Sequence, residues 1–191
     1  MPRFIAFLRA INVGGRTVTM AALRVHFEAL PLVNVETFIA SGNVIFEAES
    51  RDPAALERRI ESHLFNALGY EVSTFLRTDV EIAAITHYRP FTERDMASAV
   101  AFNVAFVAEP LDAAASQRVA AFKTDIDDFH VHGREVYWLC RKKQSDSTFS
   151  NKVFEKAIEM RATFRGMNTI KNLAARFPLT AFAATLPREK G

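Results

Sequence analysis

The first strand of the chain is apolar on both of its faces, and this property constrains the fold more than any other. The predicted strand runs from Arg3 to Ile11 and reads Phe-Ile-Ala-Phe-Leu after its first residue. Because successive side chains of a strand point to opposite faces, both faces carry apolar groups. A strand of this kind lies inside a sheet that is covered above and below. The sequence therefore predicts a sheet built around this strand.

The elements that follow repeat one order twice. In the first half, caps, turns and apolar spacing predict strands at residues 3–11, 33–40, 44–46 and 72–77, with helices at 20–30 and 53–68. This β-α-β-β-α-β order is that of a ferredoxin-like fold. It begins again at Val100, and Phe38-x3-Gly42-x3-Phe46 is echoed by Phe129-x3-Gly133-x3-Tyr137.

We therefore predict the α+β class, with two tandem ferredoxin-like subdomains, antiparallel sheets and an extra C-terminal helix. The predicted domains are an N-terminal subdomain at 1–87, a connector at 88–99, a C-terminal subdomain at 100–180 and a tail at 181–191. Seventeen phenylalanines in 191 residues can supply a large core.

Composition excludes some classes of protein. Cys140 is the only cysteine, so no internal disulfide can form. The N-terminus lacks the features of a signal peptide, and no apolar run approaches the roughly 20 residues that span a bilayer. We expect a cytoplasmic protein without a membrane partner. The oligomeric state is left open.

Polar residues follow the first strand and fill the first predicted hairpin. Strands one and two of a ferredoxin-like half are parallel, so their carboxyl ends share an edge. We expect that edge to bring two loops together and to bind an anion or a polar small molecule through backbone N–H groups, arginines and amides. Alternatively, the glycines only permit a turn and the amides only satisfy backbone groups. The candidate residues are Arg9, Asn12, Gly14, Gly15, Arg16, Ser41, Gly42 and Asn43.

A second polar cluster is predicted in the other half, where the chain is basic. Residues 134–176 hold 10 Lys and Arg against 4 Asp and Glu. The carboxyl ends of the third and fourth strands of this half should share an edge, with two helix starts beside it. Helix capping explains part of this pattern, and an anion site is the alternative. The candidate residues are Ser147, Asn151, Arg165, Asn168 and Thr169.

Neither a metal site nor a cofactor site is predicted. The sequence lacks Gly-x-Gly-x-x-Gly and the phosphate-loop motif. His130 and His132 lie two residues apart on one strand face, but no third ligand stands at a telling spacing.

Several segments resemble a bacterial family known only as domain of unknown function sixteen-ninety-seven. They are Phe-Leu-Arg-Ala-Ile-Asn-Val-Gly-Gly at 7–15, Ile-Ala-Ser-Gly-Asn-Val-Ile-Phe at 39–46, Gly-Arg-Glu-Val-Tyr at 133–137 and Arg-Gly-Met-Asn-Thr at 165–169. The resemblance implies a pair of ferredoxin-like subdomains and brings no established activity. The family motifs fall on the residues of both clusters except Arg16. This chain differs from the usual pattern at Ala10, where glycine is common, at Thr148, where lysine is common, and at Gly166-Met167, which replaces Asn-Trp.

The function expected from these residues is binding of a polar or anionic small molecule or nucleotide at the strand-edge loops. The first alternative is an acylphosphatase-like hydrolase of acyl phosphates or phosphoesters, in which Arg16 would cradle the phosphoryl group and Asn43 would orient water. The second alternative is RNA binding on an open sheet face, which is less favoured because the first strand is apolar on that face. Whether the protein is an enzyme is left open.

Overall fold

The computed structural model describes residues 1–39 and 42–176. The first half contains β1 (Arg3–Leu8), α1 (Met20–Glu28), β2 (Val33–Phe38), β3 (Asn43–Glu47), α2 (Pro53–Leu68) and β4 (Thr74–Thr78). Two helices, α3 (Asp79–His87) and α4 (Glu93–Ala97), connect the halves. The second half contains β5 (Ala101–Val107), α5 (Ala113–Ala120), β6 (Asp127–His132), β7 (Glu135–Cys140), α6 (Asn151–Ile158), β8 (Ala162–Gly166) and α7 (Met167–Ala175).

The strands form two four-stranded antiparallel sheets, which confirms the mixed α+β class. Their orders are β2-β3-β1-β4 and β6-β7-β5-β8. β1 lies between β3 and β4, as its apolar faces predict, and β5 holds the same place in the second sheet. β1 and β2 both run antiparallel to β3 and therefore point the same way.

The described residues form three apolar cores, and the central one joins the halves. Helices α1 and α2 pack on the outer face of the first sheet, and α5 and α6 pack on the outer face of the second. The inner faces of the sheets share the central core with α3 and α7. At its middle the rings of Phe7 and Phe106 stack with centroids 4.1 Å apart. Each sheet therefore covers the other.

Helix boundaries follow the capping signals of the sequence. α2 starts after Asp52, whose side chain accepts from the Ala55 N–H, and ends at the left-handed Gly69. Thr78 and Glu81 form a capping box at the start of α3. None of the helices in residues 1–39 and 42–176 is both long enough and apolar enough to cross a membrane.

Several predicted boundaries differ from the structure. β1 ends at Leu8 instead of Ile11, because Ala10 takes the left-handed conformation with φ +60°. The connector contains the short helix α4, which Thr92 caps. The extra C-terminal helix is α7, which begins at Met167 directly after β8. The division at 1–87, 88–99 and 100–180 stays a prediction, and the tail at 181–191 lies outside the described residues.

Candidate functional site

The loop that follows β1 is exposed and polar. The side chain of Asn12 is hydrogen-bonded within this loop, because its Oδ1 accepts from the Val18 N–H at 2.7 Å. Gly14 and Gly15 have φ values of +68° and +79°, and no atom lies within 4 Å of a Cβ built on either. Two successive left-handed residues favour glycine, and the open space above them leaves their backbone accessible.

Arg16 is the exposed cation of this loop. Its Cζ lies 4.3 Å from the centre of the Tyr70 ring, and the Tyr70 hydroxyl donates to the Ile11 carbonyl at 2.9 Å. Among the residues that the structure describes, no hydrogen bond or ion pair occupies the guanidinium of Arg16. The ring therefore orients a guanidinium whose donors are available to a ligand.

Arg9, in contrast, is part of a link between the halves. Its Nε and Nη2 donate to the two carboxylate oxygens of Glu155 on α6, at 2.5 and 2.7 Å. Glu155 also accepts from the Ala162 N–H at 2.8 Å and lies 3.8 Å from Arg161. A fork-to-fork pair of this kind fixes both side chains, so Arg9 holds α6 against the end of β1.

A groove of about 650 Å³ opens beside this link, between α2 and the chain that enters β4. Arg161 forms part of its wall together with Ser73, whose carbonyl accepts from the Arg9 N–H at 2.8 Å. Glu61 also lines the groove, and burial raises the pKa of its carboxyl, although the Thr74 N–H donates to it. Tyr70, on which Arg16 lies, directly precedes the groove residues Glu71, Val72 and Ser73 in sequence, so the loop with Arg16 is next to the segment that lines the groove. We call this loop and this groove together the β1 edge.

The buried joint between the halves is built on Arg165. This side chain is 8% exposed, and it donates from Nε to Asn43 Oδ1 at 2.7 Å and from Nη2 to the Leu8 carbonyl at 2.9 Å. Burial lowers the pKa of Arg165 to about 10, so the guanidinium stays charged at neutral pH. Asn43 is fully buried, and its Nδ2 donates to the Phe38 carbonyl. The joint thus brings residues of the two predicted clusters together.

Gly42 belongs to the same joint for steric reasons. Its φ is +74°, and a Cβ built on it would lie 2.8 Å from Cγ2 of Ile11. Its carbonyl accepts from the Leu8 N–H at 2.8 Å. The first hairpin therefore lies against the end of β1, as the strand directions predict. Ser41 lies outside the described residues.

A second buried arginine repeats this joint at the other end of the interface. Arg77 on β4 donates from Nε to Glu135 at 2.6 Å and from Nη2 to the carbonyls of Val107 and Arg134 at 2.9 and 3.0 Å. Burial lowers the pKa of Arg77, while Glu135 opposes this shift. Val107 ends β5 as Leu8 ends β1, so the two joints are equivalent by the repeat of the halves.

The two joints differ in their charge. Within residues 1–39 and 42–176, Arg77 faces a carboxylate, whereas the hydrogen-bond partners given for Arg165 are an amide oxygen, a hydroxyl and backbone carbonyls. Each guanidinium also lies over the phenylalanine of the opposite sheet, Arg165 at 5.7 Å from Phe7 and Arg77 at 5.3 Å from Phe106.

The second predicted cluster does not assemble as expected. Ser147 Oγ donates to Asp127 at the start of the edge strand β6, which is three strands, or about 14 Å, away from β8. Asn151 Nδ2 donates to the carbonyl of Ala162 at the start of β8, whereas Asn168 and Thr169 follow its end, about 13 Å further on. Of this cluster, Arg165 alone reaches the first one. Strand direction alone predicts a shared edge for these residues, but the order of the strands across the sheet separates them.

The two histidines of β6 and the single cysteine have partners within the protein. Tyr88 Oη lies 2.8 Å from His130 Nε2, and the Tyr88 ring stacks on His132 at 4.1 Å. In the described ranges, no group of three or more His, Cys, Asp or Glu could hold a metal ion. Burial raises the pKa of the Cys140 thiol, which donates to the Lys142 carbonyl.

Sequence reasoning missed Arg77, Glu135 and Glu155. A signal for Arg77 existed, because an arginine stands inside an apolar strand near the end of each half, in Thr-Phe-Leu-Arg-Thr and Ala-Thr-Phe-Arg-Gly. Glu155 is a charged residue on the helix α6, and nothing in the sequence around it indicates a contact with the other half of the chain.

Comparison with known proteins identifies the family and the fold. A family model described as "Protein of unknown function (DUF1697)" matches residues 1–137, which confirms the resemblance seen in the sequence. No curated protein matches the chain. A solved structure titled as that of the conserved bacterial protein SP0830 from Streptococcus pneumoniae is similar, with a TM-score of 0.71 and 22% identity over 91% of this chain and 97% of that one. At this identity the likeness concerns the fold alone.

Proposed function

The chain belongs to the DUF1697 family of proteins of unknown function, and from its geometry we propose that it binds a small anionic molecule at the β1 edge. The ligand class is a phosphate- or carboxylate-bearing metabolite, nucleotides included. The observation that carries the proposal is Arg16, a guanidinium oriented on Tyr70 without a bonding partner in the described part of the chain. Other arginines of the predicted clusters, Arg9 and Arg165, are engaged in holding the halves together.

The surroundings of Arg16 support an anion of modest size. Gly14 and Gly15 leave open space over the loop backbone, and Arg161, whose side chain is 63% exposed, lies across the Arg9–Glu155 pair. The groove of about 650 Å³ falls within the range of small-molecule sites. Its carboxylates, Glu61 and Glu71, would face the polar or cationic part of the ligand rather than its anionic group.

The two alternatives find less support. An acylphosphatase-like hydrolase would use Asn43 to orient water, but this side chain is fully buried and bonded to Arg165 and to the Phe38 carbonyl. RNA binding on an open sheet needs an exposed face, whereas the inner faces pack on each other around Phe7 and Phe106.

We also propose the finer points of fold and setting. The strand order β2-β3-β1-β4 with helices α1 and α2 on one face supports a ferredoxin-like topology for the first half, and β6-β7-β5-β8 supports it for the second. The protein is proposed to be bacterial and cytoplasmic.

Thermal shift and calorimetry with phosphate, pyrophosphate, citrate and ADP test the proposal. A ligand at 100 times its Kd adds about 2.7 kcal/mol to the free energy of unfolding, which raises Tm measurably. Arg16→Gln should weaken binding by about tenfold or more, because a hydrogen bond to a charged group contributes about 1.5–3 kcal/mol. Arg24→Gln is the matched control, since Arg24 is an exposed arginine that pairs with Glu28 on α1.

The proposal fails if none of these anions raises Tm, or if Arg16→Gln binds as tightly as the parent. Acetyl phosphate hydrolysis by the parent protein and Arg16→Ala distinguishes binding from the hydrolase alternative. A hydrolase would lose rate in the variant, whereas a binding protein would show no turnover in either.

A further inference from the structure

Four strands lie at the edges of the two sheets, β2 and β4 in the first and β6 and β8 in the second. An edge strand has one row of backbone N–H and C=O groups that faces away from its sheet, and folded proteins usually block this row. An unblocked row is a surface on which a further strand can pair. The four edges of the described sheets differ in this respect.

The edge of β4 is blocked by carboxylates. Its outward N–H groups donate to glutamate side chains at 2.7–2.8 Å, Thr74 to Glu61, Leu76 to Glu57 and Thr78 to Glu81. Since two of these glutamates lie on α2, that helix covers the edge. Within Thr74–Thr78, no outward donor is left for another strand.

The edges of β8 and β2 are interrupted. At the start of β8, the Ala162 N–H donates to Glu155 and the Ala162 carbonyl accepts from Asn151. β2 contains the left-handed Asn34 and is followed by the left-handed Ile39, with φ values of +54° and +57°, and its register with β3 shifts. Neither strand therefore presents an unbroken row along its length.

β6, in contrast, is regular along its whole length. It pairs with β7 over all six of its residues without a shift in register. The Arg141 N–H donates to the Ile126 carbonyl at 2.7 Å, and the bonded pairs of an antiparallel ladder recur at every second residue. The backbone groups of Asp127, Phe129 and Val131 therefore face away from β7.

The outward row of β6 is only partly used. The N–H and the carbonyl of Asp127 are bonded to Thr124 in the preceding turn, and the Phe129 N–H donates to the side chain of Asp128. Within residues 1–39 and 42–176, the Phe129 carbonyl and both backbone groups of Val131 have no hydrogen-bond partner. The open part of this edge thus runs from Phe129 to Val131.

A second copy of β6 matches this edge when it runs antiparallel with His130 opposite its own copy. Phe129 then lies opposite Val131, an aromatic side chain against a β-branched one, on the face of the outer core. On the other face, Asp128 lies opposite the exposed His132, a carboxylate against an imidazole. Two-fold symmetry repeats each match, so the same short sequence provides both sides of the interface.

We propose that the protein forms a two-fold dimer through β6, in which the second sheets of the two copies join into one continuous sheet of eight antiparallel strands. Phe129 and Val131 exchange backbone hydrogen bonds with Val131 and Phe129 of the second copy. The partner is a second copy rather than a strand of another protein, because the charge match and the apolar match both arise when β6 is set against itself. The interface shares no residue with the β1 edge, so it is independent of the function proposed above.

Sedimentation equilibrium of the full chain, from micromolar to submillimolar concentration, tests the proposal. The parent protein should show a reversible equilibrium between monomer and dimer. Val131→Pro should weaken the dimer at least about tenfold, because proline cannot donate across the interface and no bond to β7 is lost. Thr37→Pro is the matched control, since Thr37 holds an outward position on the edge strand β2, and it should leave the equilibrium unchanged.

Substitutions of the exposed His132 test the charge match without changing the backbone. His132→Lys places a permanent positive charge opposite Asp128 and should tighten the dimer, whereas His132→Glu places two carboxylates together and should weaken it. Each change should be about threefold, because cross-strand charge pairs are modest in energy and Asp128 also pairs with Lys123 at 2.9 Å.

A cross-linking experiment tests the register. Side chains directly opposite each other in an antiparallel pair have Cβ atoms about 4.5–5.5 Å apart, near the distance that a disulfide requires. With oxidised glutathione, His130→Cys should therefore give a covalent dimer, whereas His132→Cys, which faces Asp128 of the second copy, should give one much more slowly. The native Cys140 is buried and does not compete.

The proposal is overturned if the parent protein sediments as a monomer at every concentration, as it would if β6 paired only with another protein. It is also overturned if folded Val131→Pro dimerises as tightly as the parent, or if the two cysteine variants cross-link at the same rate. If Val131→Pro does not fold, the His132 variants decide, and equal dimer affinities of His132→Lys and His132→Glu overturn the proposal.

Discussion

Replacing Arg165 by methionine should destabilise the whole protein, because this one side chain joins the end of β1, the first hairpin and β8. The substitution removes the donors to Leu8 O and Asn43 Oδ1, both of which lie in the buried joint. Each buried acceptor that loses its partner costs about 1–3 kcal/mol. The substitution also removes a charge whose burial is unfavourable, as the lowering of the pKa of Arg165 to about 10 indicates. This effect offsets part of the lost stability. The net loss should be about 3 kcal/mol.

Urea unfolding and a thermal scan measure this loss. For a chain of this length, 1 kcal/mol corresponds to roughly 2–4 °C, so Tm should fall by roughly 6–12 °C. Arg161→Met is the matched control: its side chain is 63% exposed and has one contact at 3.8 Å to Glu155. Its effect should stay within about 0.5 kcal/mol.

Two further experiments test whether the loss comes from the hydrogen bonds of Arg165. They are the substitution Arg165→Lys and a double-mutant cycle that combines Arg165→Met with Asn43→Ala. Lysine keeps the charge but cannot present a planar fork, so it should recover less than half of the loss. The cycle should give a coupling energy of about 1–3 kcal/mol, since the two side chains share one hydrogen bond. The reasoning would be refuted if Arg165→Met were no more destabilising than Arg161→Met, or if the coupling energy were near zero.

Three further predictions concern stability. Ala10→Gly should stabilise the protein by about 0.5–1 kcal/mol in urea unfolding, because Ala10 has φ +60° and glycine relieves that strain; an equal or lower midpoint would contradict this. Burial raises the pKa of Glu57, so its contribution to stability is present at low pH and is lost as the pH rises through the folded pKa. Glu57→Gln should therefore be more stable than the parent at pH 8, with a difference that closes towards pH 4, and a constant difference would count against it. Burial and then His132 lower the pKa of His130, so the parent should lose stability as the pH falls below about 6.5, and His130→Gln should lose less.

The sequence predicted the element order because local signals were strong. Thr78 and Glu81 formed the capping box, Asp52 and Gly69 bounded α2, and the apolar faces of β1 placed it inside a sheet. The end of β1 was missed because alanine itself does not indicate a left-handed residue, although glycine is common at position 10 in the similar family.

The candidate site was harder to predict, because it depends on how the two halves pack. Strand direction correctly brought Gly42 to the end of β1, since that follows from one half alone. Nothing within either half indicates that Arg9 meets Glu155 or that Arg165 meets Asn43, which are 146 and 122 residues apart in sequence. An arginine in an apolar strand indicates a partner, but not whether that partner is a ligand or the other half of the chain.

The way the halves pack also limits where this protein can bind anything. Because each sheet covers the other, the inner faces of both sheets are buried in the central core. Arg9 from the first predicted cluster and Arg165 from the second hold that packing together, so a ligand that displaced either would weaken the interface. We therefore expect the proposed ligand to meet groups outside the joints, such as Arg16 at the β1 edge. A ligand at Arg16 should raise the unfolding midpoint of the whole chain, because the loop that carries it is anchored at Ile11, next to the joint at Leu8 and Gly42.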